Sequence, residues 1–102
     1  MFKQSGQFET QHASKYLQQL CKHFAHKVEV TYDTAQGDVD FPFGKASLQA
    51  TDRALCAEIS GETVTALAKA RAVIDVHLKT FAFRESFQQM DWQAVCGLPA
   101  QK

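Results

Sequence analysis

The chain has 102 residues, of which 45% are hydrophobic, so it can bury the core of one domain. Eleven basic and eleven acidic side chains give a formal net charge of zero, which argues against a general binder of nucleic acids or anionic membranes. No apolar run is long enough to cross a bilayer, and the first residues lack the apolar segment of a secretory signal. We therefore expect a single domain over residues 1–102, with a frayed tail at about residues 97–102.

The cysteines favour a reducing compartment. The chain has three cysteines, an odd number, at Cys21, Cys56 and Cys96. They are widely spaced, and no two of them form a CxxC pair. A disulfide framework is therefore not expected, and the sequence indicates a cytoplasmic protein.

Hydrophobic periodicity predicts a strand, a helix, four more strands and a second helix. Residues 5–9 predict the first strand, and residues 10–26 predict the first helix, with Thr10 as its N-cap. The next four strands are predicted at residues 28–32, 38–43, 45–51 and 54–60. Pro42 suggests an edge or a bulge in its strand. The second helix is predicted to run to about Ser86, and the aromatic residues after it are expected to fold back on the body.

This order, β-α-β-β-β-β-α, predicts an α+β fold. The strands have one apolar face, and two amphipathic helices are available to cover it. We expect a two-layer sandwich in which an antiparallel sheet carries both helices on one face. A crossover after the first strand, followed by hairpins, makes the two helices antiparallel.

The segment LCKHFAHK, residues 20–27, places a thiol and two imidazoles close together in the chain. Cys21 lies on the apolar face of the predicted helix, and we interpret it as a core residue. His23 and His26 are three residues apart and share another side of the helix. They provide two metal ligands at most, so a solvated basic face is a simpler interpretation than a metal site.

A different interpretation pairs His12 with His77. His77 lies roughly 22 Å along the second predicted helix, which in an antiparallel pair is beside the start of the first helix, where His12 lies. The dipole at a helix N-terminus favours the neutral form of His12. His12 and His77 are therefore the candidates for a functional histidine pair and for a metal site.

Charge is distributed unevenly, although its sum is zero. The first predicted helix carries lysines and no acid, whereas the outward side of the sheet carries mostly acidic residues. The helix layer is therefore a candidate surface for a ligand or an acidic partner, and complementary faces offer a route to a homodimer. The candidate binding residues are His12, Lys15, Lys22, His23, His26, His77 and Arg84.

Sequence patterns of common enzyme classes are absent. The chain has no GxSxG, GxGxxG, Walker or HExxH pattern, so no catalytic residue and no cofactor is indicated. Cys56 alternates outward on the last predicted strand, but the sequence places no general base beside it.

Three segments resemble one bacterial family. They are similar to segments of the small proteins grouped as domain of unknown function family 2218. The three segments are HASKYLQQLCKHFAHK (12–27), FPFG (41–44) and HLKTFAFRE (77–85). The resemblance covers about residues 6–92, and it implies a fold similar to the TATA-binding-protein-like arrangement. For some relatives it also implies an association with siderophore and iron-handling proteins. No activity is established for the family, so no catalytic residue carries over.

Three hypotheses of function follow. The first is a non-enzymatic binding or accessory module, linked through the resemblance to iron or siderophore metabolism. The second is an enzyme that depends on a metal at His12 and His77, or on the thiol of Cys56. The third is a structural homodimer. We expect a monomer or a weak homodimer with a protein or small-molecule partner. An acidic outer sheet face would repel phosphate, so no nucleic acid is expected there, and no membrane partner is expected either.

Overall fold

The computed structural model describes residues 1–95, which form an α+β fold. The elements in chain order are β1 Phe2–Glu9, α1 Ala13–Phe24, β2 Glu29–Tyr32, β3 Gln36–Phe41, β4 Gly44–Ala50, β5 Ala54–Gly61, α2 Val64–Phe81 and β6 Asp91–Trp92. A short 3-10 turn at Phe83–Glu85 follows α2. The predicted order β-α-β-β-β-β-α is confirmed, with β6 added after it. Cys96 and the predicted frayed tail lie outside the described residues.

The strands form one antiparallel sheet in the order β2-β3-β4-β5-β1-β6. Alternate residues of the strands point toward the helix layer, which is why the burial of β3 and β4 alternates along the chain. The helices bury their leucine stripes against these residues. The side chains buried at the centre of this core include Leu17, Leu20, Val39, Leu48, Ile59, Leu67, Ile74 and Leu78. The predicted two-layer sandwich is therefore the observed architecture.

The start of α1 differs from the prediction. Thr10 is not the N-cap, because α1 begins at Ala13 and His12 precedes it without a side-chain cap. The backbone N–H of Thr10 donates to the carbonyl of Arg53 at 2.9 Å. Its hydroxyl accepts from the N–H of His12 at 3.0 Å and donates to Glu85 at 2.9 Å. Contacts with distant parts of the chain thus hold Thr10 away from the capping position.

The prediction that Pro42 marks an edge or a bulge within a strand is wrong. β3 ends at Phe41, which pairs with Gly44, so Pro42 and Phe43 form a two-residue hairpin turn. A Cβ at position 44 would lie 2.2 Å from the carbonyl oxygen of Ser60, so glycine lets β4 begin this close to β5. The turn places the Phe43 ring parallel to that of Phe41, with 5.0 Å between the ring centres.

Helices α1 and α2 run antiparallel, as predicted, but their ends do not align. The hydroxyl of Tyr16 donates to Oε2 of Glu85, so the first half of α1 lies beside the 3-10 turn. Farther along α1, the ring of His23 contacts that of His77, which precedes Glu85 by eight residues. These two contacts place α1, which has 12 residues, along the second half of the 18-residue α2 and the turn that follows it. The first turns of α2 extend beyond the end of α1.

The chain after α2 folds back on the body, as predicted, and forms β6. The Trp92 ring lies over Gly6, where a Cβ would come within 2.5 Å of it. The indole N–H of Trp92 donates to Asp75 at 2.9 Å, and the backbone N–H of Met90 donates to the same carboxylate at 3.0 Å. Burial raises the pKa of Asp75, although these two donors and the charge of Arg71 oppose the shift. Asp75 therefore anchors β6 to α2.

We predict that Asp75→Ala lowers the free energy of unfolding by about 2 kcal/mol, because two partly buried N–H groups lose their acceptor. The emission of Trp92, the only tryptophan, should shift to longer wavelength as its anchor is lost. Urea denaturation followed by tryptophan fluorescence measures both effects. Asp91→Ala removes an exposed carboxylate of β6 and should change stability by less than about 0.5 kcal/mol. Equal stability of the two variants would contradict the anchoring role.

A second prediction concerns Tyr16 at alkaline pH. Burial, together with the hydrogen bond to Glu85 and its charge, raises the pKa of Tyr16 to about 12. The folded chain therefore holds the phenolic proton more tightly than the unfolded chain, in which tyrosine has a pKa of about 10. This contribution to stability is complete below pH 10 and is lost as the pH rises toward 12.

The variant Tyr16→Phe has no phenolic proton to lose, so its stability should not fall for this reason. The difference between its free energy of unfolding and that of wild type should therefore rise by about 2 kcal/mol as the pH increases from 10 to 12. Urea denaturation at a series of pH values between 8 and 12 measures the difference. Tyr32→Phe removes the exposed tyrosine of β2 and should follow the wild-type curve. Parallel curves for wild type and Tyr16→Phe would show that the buried phenol does not control this behaviour.

Candidate functional site

A groove of about 380 Å³ opens where α1 ends, beside the β3–β4 turn and the middle of α2. Three separate parts of the chain form it, and most of the residues around it are apolar or aromatic. The lining residues are His23, Phe24, Lys27, Val28, Phe41, Pro42, Phe43, Val73 and His77. None of these nine residues is acidic, so any charge on the groove is positive.

Three phenylalanines form the aromatic side of the groove. Phe24, the last residue of α1, packs edge-on against Phe41, with ring centres 5.2 Å apart. Phe41 in turn stacks on Phe43. Phe24 and Phe41 are buried, whereas Phe43 is half-buried because the hairpin turn carries it to the surface. The ring of Phe43 is therefore the aromatic surface that a ligand can reach.

Two imidazoles from different helices meet at the edge of the groove. The ring centres of His23 and His77 lie 4.3 Å apart, with the ring planes inclined by 46°. Nδ1 of His77 lies 2.7 Å from the carbonyl oxygen of Val73. Since a carbonyl can only accept, Nδ1 carries the proton and donates, which leaves the lone pair on Nε2.

The charge state of His23 follows from its neighbours. Desolvation lowers the pKa of His23, and positive charge on His77, His26 and Lys27 lowers it further. Because the ordinary pKa of histidine is near 6.5, His23 is mainly neutral at pH 7. The permanent cation of the groove is therefore Lys27, and His23 acts as a polar group.

The predicted pairing of His12 with His77 is wrong. His12 lies just before α1, and its ring is 6.2 Å from that of Tyr16. His77 contacts His23, which follows His12 by eleven residues, or about 16 Å of helix. The prediction assumed that the helix ends align, but the contact between Tyr16 and Glu85 shifts the two helices past each other.

The other predicted binding residues are spread over the surface of the helix layer. Lys15 and Lys22 are exposed on α1, and His26 is exposed just after it. Arg84 is exposed on the 3-10 turn, with its guanidinium carbon 5.6 Å from the ring centre of Phe83. Of the seven predicted residues, His23 and His77 are the pair in ring contact.

Sequence reasoning did not include two residues that define the groove, Lys27 and Phe43. The sequence groups Lys27 with the other lysines of the basic first helix, because nothing local shows that the chain turns back beside it. The strand predicted at residues 38–43 makes Phe43 its last, inward-facing residue. The signal for its real position was the Pro42-Phe43-Gly44 sequence, since proline and glycine together favour a turn.

The two cysteines of the described chain have different surroundings. Cys21 is buried, as predicted, and burial together with the charge of Asp38 raises its pKa to about 11, so it is an unreactive core thiol. Cys56 is half-buried on the open face of the sheet, where its register neighbours are Gln7 and Gln49. Neither amide is a general base, and the acidic side chain that lines the same pocket as Cys56 is Glu58.

Two further classes of site were sought within residues 1–95. No group of three or more His, Cys, Asp or Glu side chains in this range is arranged to hold a metal ion. No helix in the same range has the length and hydropathy needed to span a membrane.

Comparisons with known proteins identify the family. The pattern of the family described as "Uncharacterized protein conserved in bacteria", domain of unknown function family 2218, matches residues 5–93. The NMR structure of PA4090 from Pseudomonas aeruginosa is 30% identical, covers 91% of this chain and 96% of its own, and superposes with a TM-score of 0.77. No curated protein matches the chain. Since the match spans nearly the whole described chain, the protein belongs to this family of uncharacterized bacterial proteins.

Proposed function

We propose that the protein is a non-enzymatic binding module whose groove takes a small aromatic molecule with an anionic group. The observation that carries this proposal is the groove itself, in which the half-buried ring of Phe43 lies near Lys27 and the imidazoles of His23 and His77. The protein acts as a monomer or a weak homodimer, and its free thiols, Cys21 and Cys56, are consistent with a cytoplasmic location.

The size and lining of the groove support a small-molecule ligand. Ligand sites in proteins typically have volumes of about 300–1,000 Å³, are mainly apolar and carry a few polar groups that fix orientation. The groove has about 380 Å³, with apolar contacts from Val28, Val73 and the phenylalanines. A ring placed against Phe43 would gain about 1 kcal/mol from aromatic stacking, beyond the area that it buries.

The charge of the groove supports an anion. Lys27 provides an ammonium group, and His23 and His77 provide ring nitrogens at the same site. No acidic side chain among the lining residues offsets the ammonium group of Lys27, so a carboxylate bound here meets a cation and no negative charge. A neutral ligand of the same shape would use only the apolar contacts.

The finer form of the proposal is a link to iron or siderophore metabolism, which comes from the family resemblance. Catechol-type iron chelators combine an aromatic ring with acidic oxygens, and this is the chemistry that the groove favours. Tighter binding of 2,3-dihydroxybenzoate or its ferric complex than of 4-hydroxybenzoate would support the link. Equal binding would leave the groove as a site for aromatic acids in general and remove the link.

The proposal predicts that 4-hydroxybenzoate binds with a Kd of about 1 mM, which corresponds to a gain of about 0.4 kcal/mol for each of its roughly ten heavy atoms. The titration is followed by backbone amide chemical shifts in a buffer that contains EDTA. The shifts should concentrate on the groove residues. The uncharged analogue 4-hydroxybenzamide should bind more weakly, because it lacks the carboxylate.

Matched lysine variants separate the groove from the general charge of the helix layer. Lys27→Ala should weaken the binding of 4-hydroxybenzoate about tenfold and leave the binding of 4-hydroxybenzamide unchanged. Lys15→Ala should change the binding of neither compound. Phe43→Ala should weaken both compounds. Shifts centred outside the groove, or no saturation at 10 mM (roughly ten times the expected Kd), would overturn the proposal.

A further inference from the structure

We propose that His23 and His77 together bind a divalent transition-metal ion between α1 and α2. The two imidazoles come from different helices, and their ring centres are 4.3 Å apart. A metal at this position would join the end of α1 to the second half of α2. The inference uses the same groove as the proposed function, but it does not require the aromatic ligand.

The orientation of His77 supports metal binding. Its Nδ1 donates to the carbonyl of Val73, which fixes the tautomer and directs the lone pair of Nε2 away from its own helix backbone. Histidines that bind metals usually donate their other ring N–H to a backbone carbonyl or a carboxylate in this way. The contact with Phe24, at 5.4 Å between ring centres, further restrains the ring of His77.

The donor set decides which metal is expected. Imidazole suits copper, nickel and zinc, and the general order of affinity among divalent ions places Cu²⁺ first. Hard ions such as Mg²⁺ and Ca²⁺ prefer oxygen ligands and should not bind to two imidazoles. Because the described residues provide no group of three ligands, the metal would keep open positions.

Open positions connect the metal to the groove. Structural metal sites are closed by four protein ligands, whereas sites that act on exogenous molecules leave positions for water or a ligand. A carboxylate or phenolate bound in the same groove would supply an oxygen ligand for one of them. Lys27 repels a bare cation and attracts such an anion, so an anionic ligand should strengthen metal binding.

The test uses EDTA-treated full-length protein returned to chelator-free buffer and titrated with CuCl₂, NiCl₂, ZnCl₂ or MgCl₂ alone. We expect saturable binding of one Cu²⁺ per chain, weaker binding of Ni²⁺ and Zn²⁺, and none of Mg²⁺ by calorimetry. The electron paramagnetic resonance spectrum of the copper complex should show hyperfine splitting from two imidazole nitrogens. A spectrum without nitrogen ligands would overturn the proposal.

Four histidine variants separate this site from ordinary surface histidines. The variants His23→Ala and His77→Ala should each weaken the binding of Cu²⁺ at least about tenfold. Each should also reduce the nitrogen hyperfine splitting to that of one imidazole. His12→Ala and His26→Ala should leave both unchanged. His23 is exposed, so its variant is expected to fold normally. Wild-type affinity in His23→Ala, or an equal loss in His12→Ala, would overturn the metal site.

The aromatic-ligand proposal and the metal-site proposal can be tested independently of each other. The binding of 4-hydroxybenzoate is measured in EDTA, so it persists if the metal site is wrong. Copper is titrated without an organic ligand, so the metal site stands if the groove rejects aromatic acids. If both stand, 4-hydroxybenzoate should tighten Cu²⁺ binding, and Cu²⁺ should tighten 4-hydroxybenzoate by the same factor in chelator-free buffer.

Discussion

The offset between the two helices is the constraint on which the candidate site depends. Glu85 accepts hydrogen bonds from the hydroxyls of Tyr16 and Thr10, so the turn after α2 is held against the start of α1. These are charge-assisted bonds, which are among the stronger ones that a folded chain makes. His23 follows Tyr16 by seven residues, and His77 precedes Glu85 by eight. Because both helices rise about 1.5 Å per residue, the contact between Tyr16 and Glu85 places His77 beside His23. A shift of one helical turn would separate the two imidazoles.

The groove exists because α1 is the shorter helix. It ends at Phe24, before it covers the β3–β4 turn, so the apolar surface of that turn is closed only in part. Phe43 consequently stays half-buried, next to the half-buried side chain of Val73 on α2. A longer α1 would bury this surface and remove the groove.

The side chains around β6 and those of the proposed binding groove differ in how firmly the fold holds them. The opposite edge of the fold is closed by β6, where Asp75 holds Trp92 over Gly6. There Asp75 and Trp92 are half-buried, and the indole N–H donates to the carboxylate. At the groove, by contrast, His23 and Lys27 are exposed and make few contacts that the fold requires. Substitutions of His23 and Lys27 therefore leave the core intact, whereas Phe24 and Phe41 of the same groove belong to the core.

The sequence by itself determined the order of the elements, the inward faces of the strands and helices, and the burial of Cys21. Periodicity is a local property, and each of these features follows from residues a few positions apart. The turn at Pro42 also had a local signal, the Pro42-Phe43-Gly44 sequence, which the assignment of a strand to residues 38–43 did not use. The position of Thr10 and the partner of His77, by contrast, depended on the tertiary structure. Tyr16 and Glu85 are 69 residues apart, and only their packing decides how far one helix slides along the other. No local pattern encodes that distance, so the histidine pair became visible only in the folded chain.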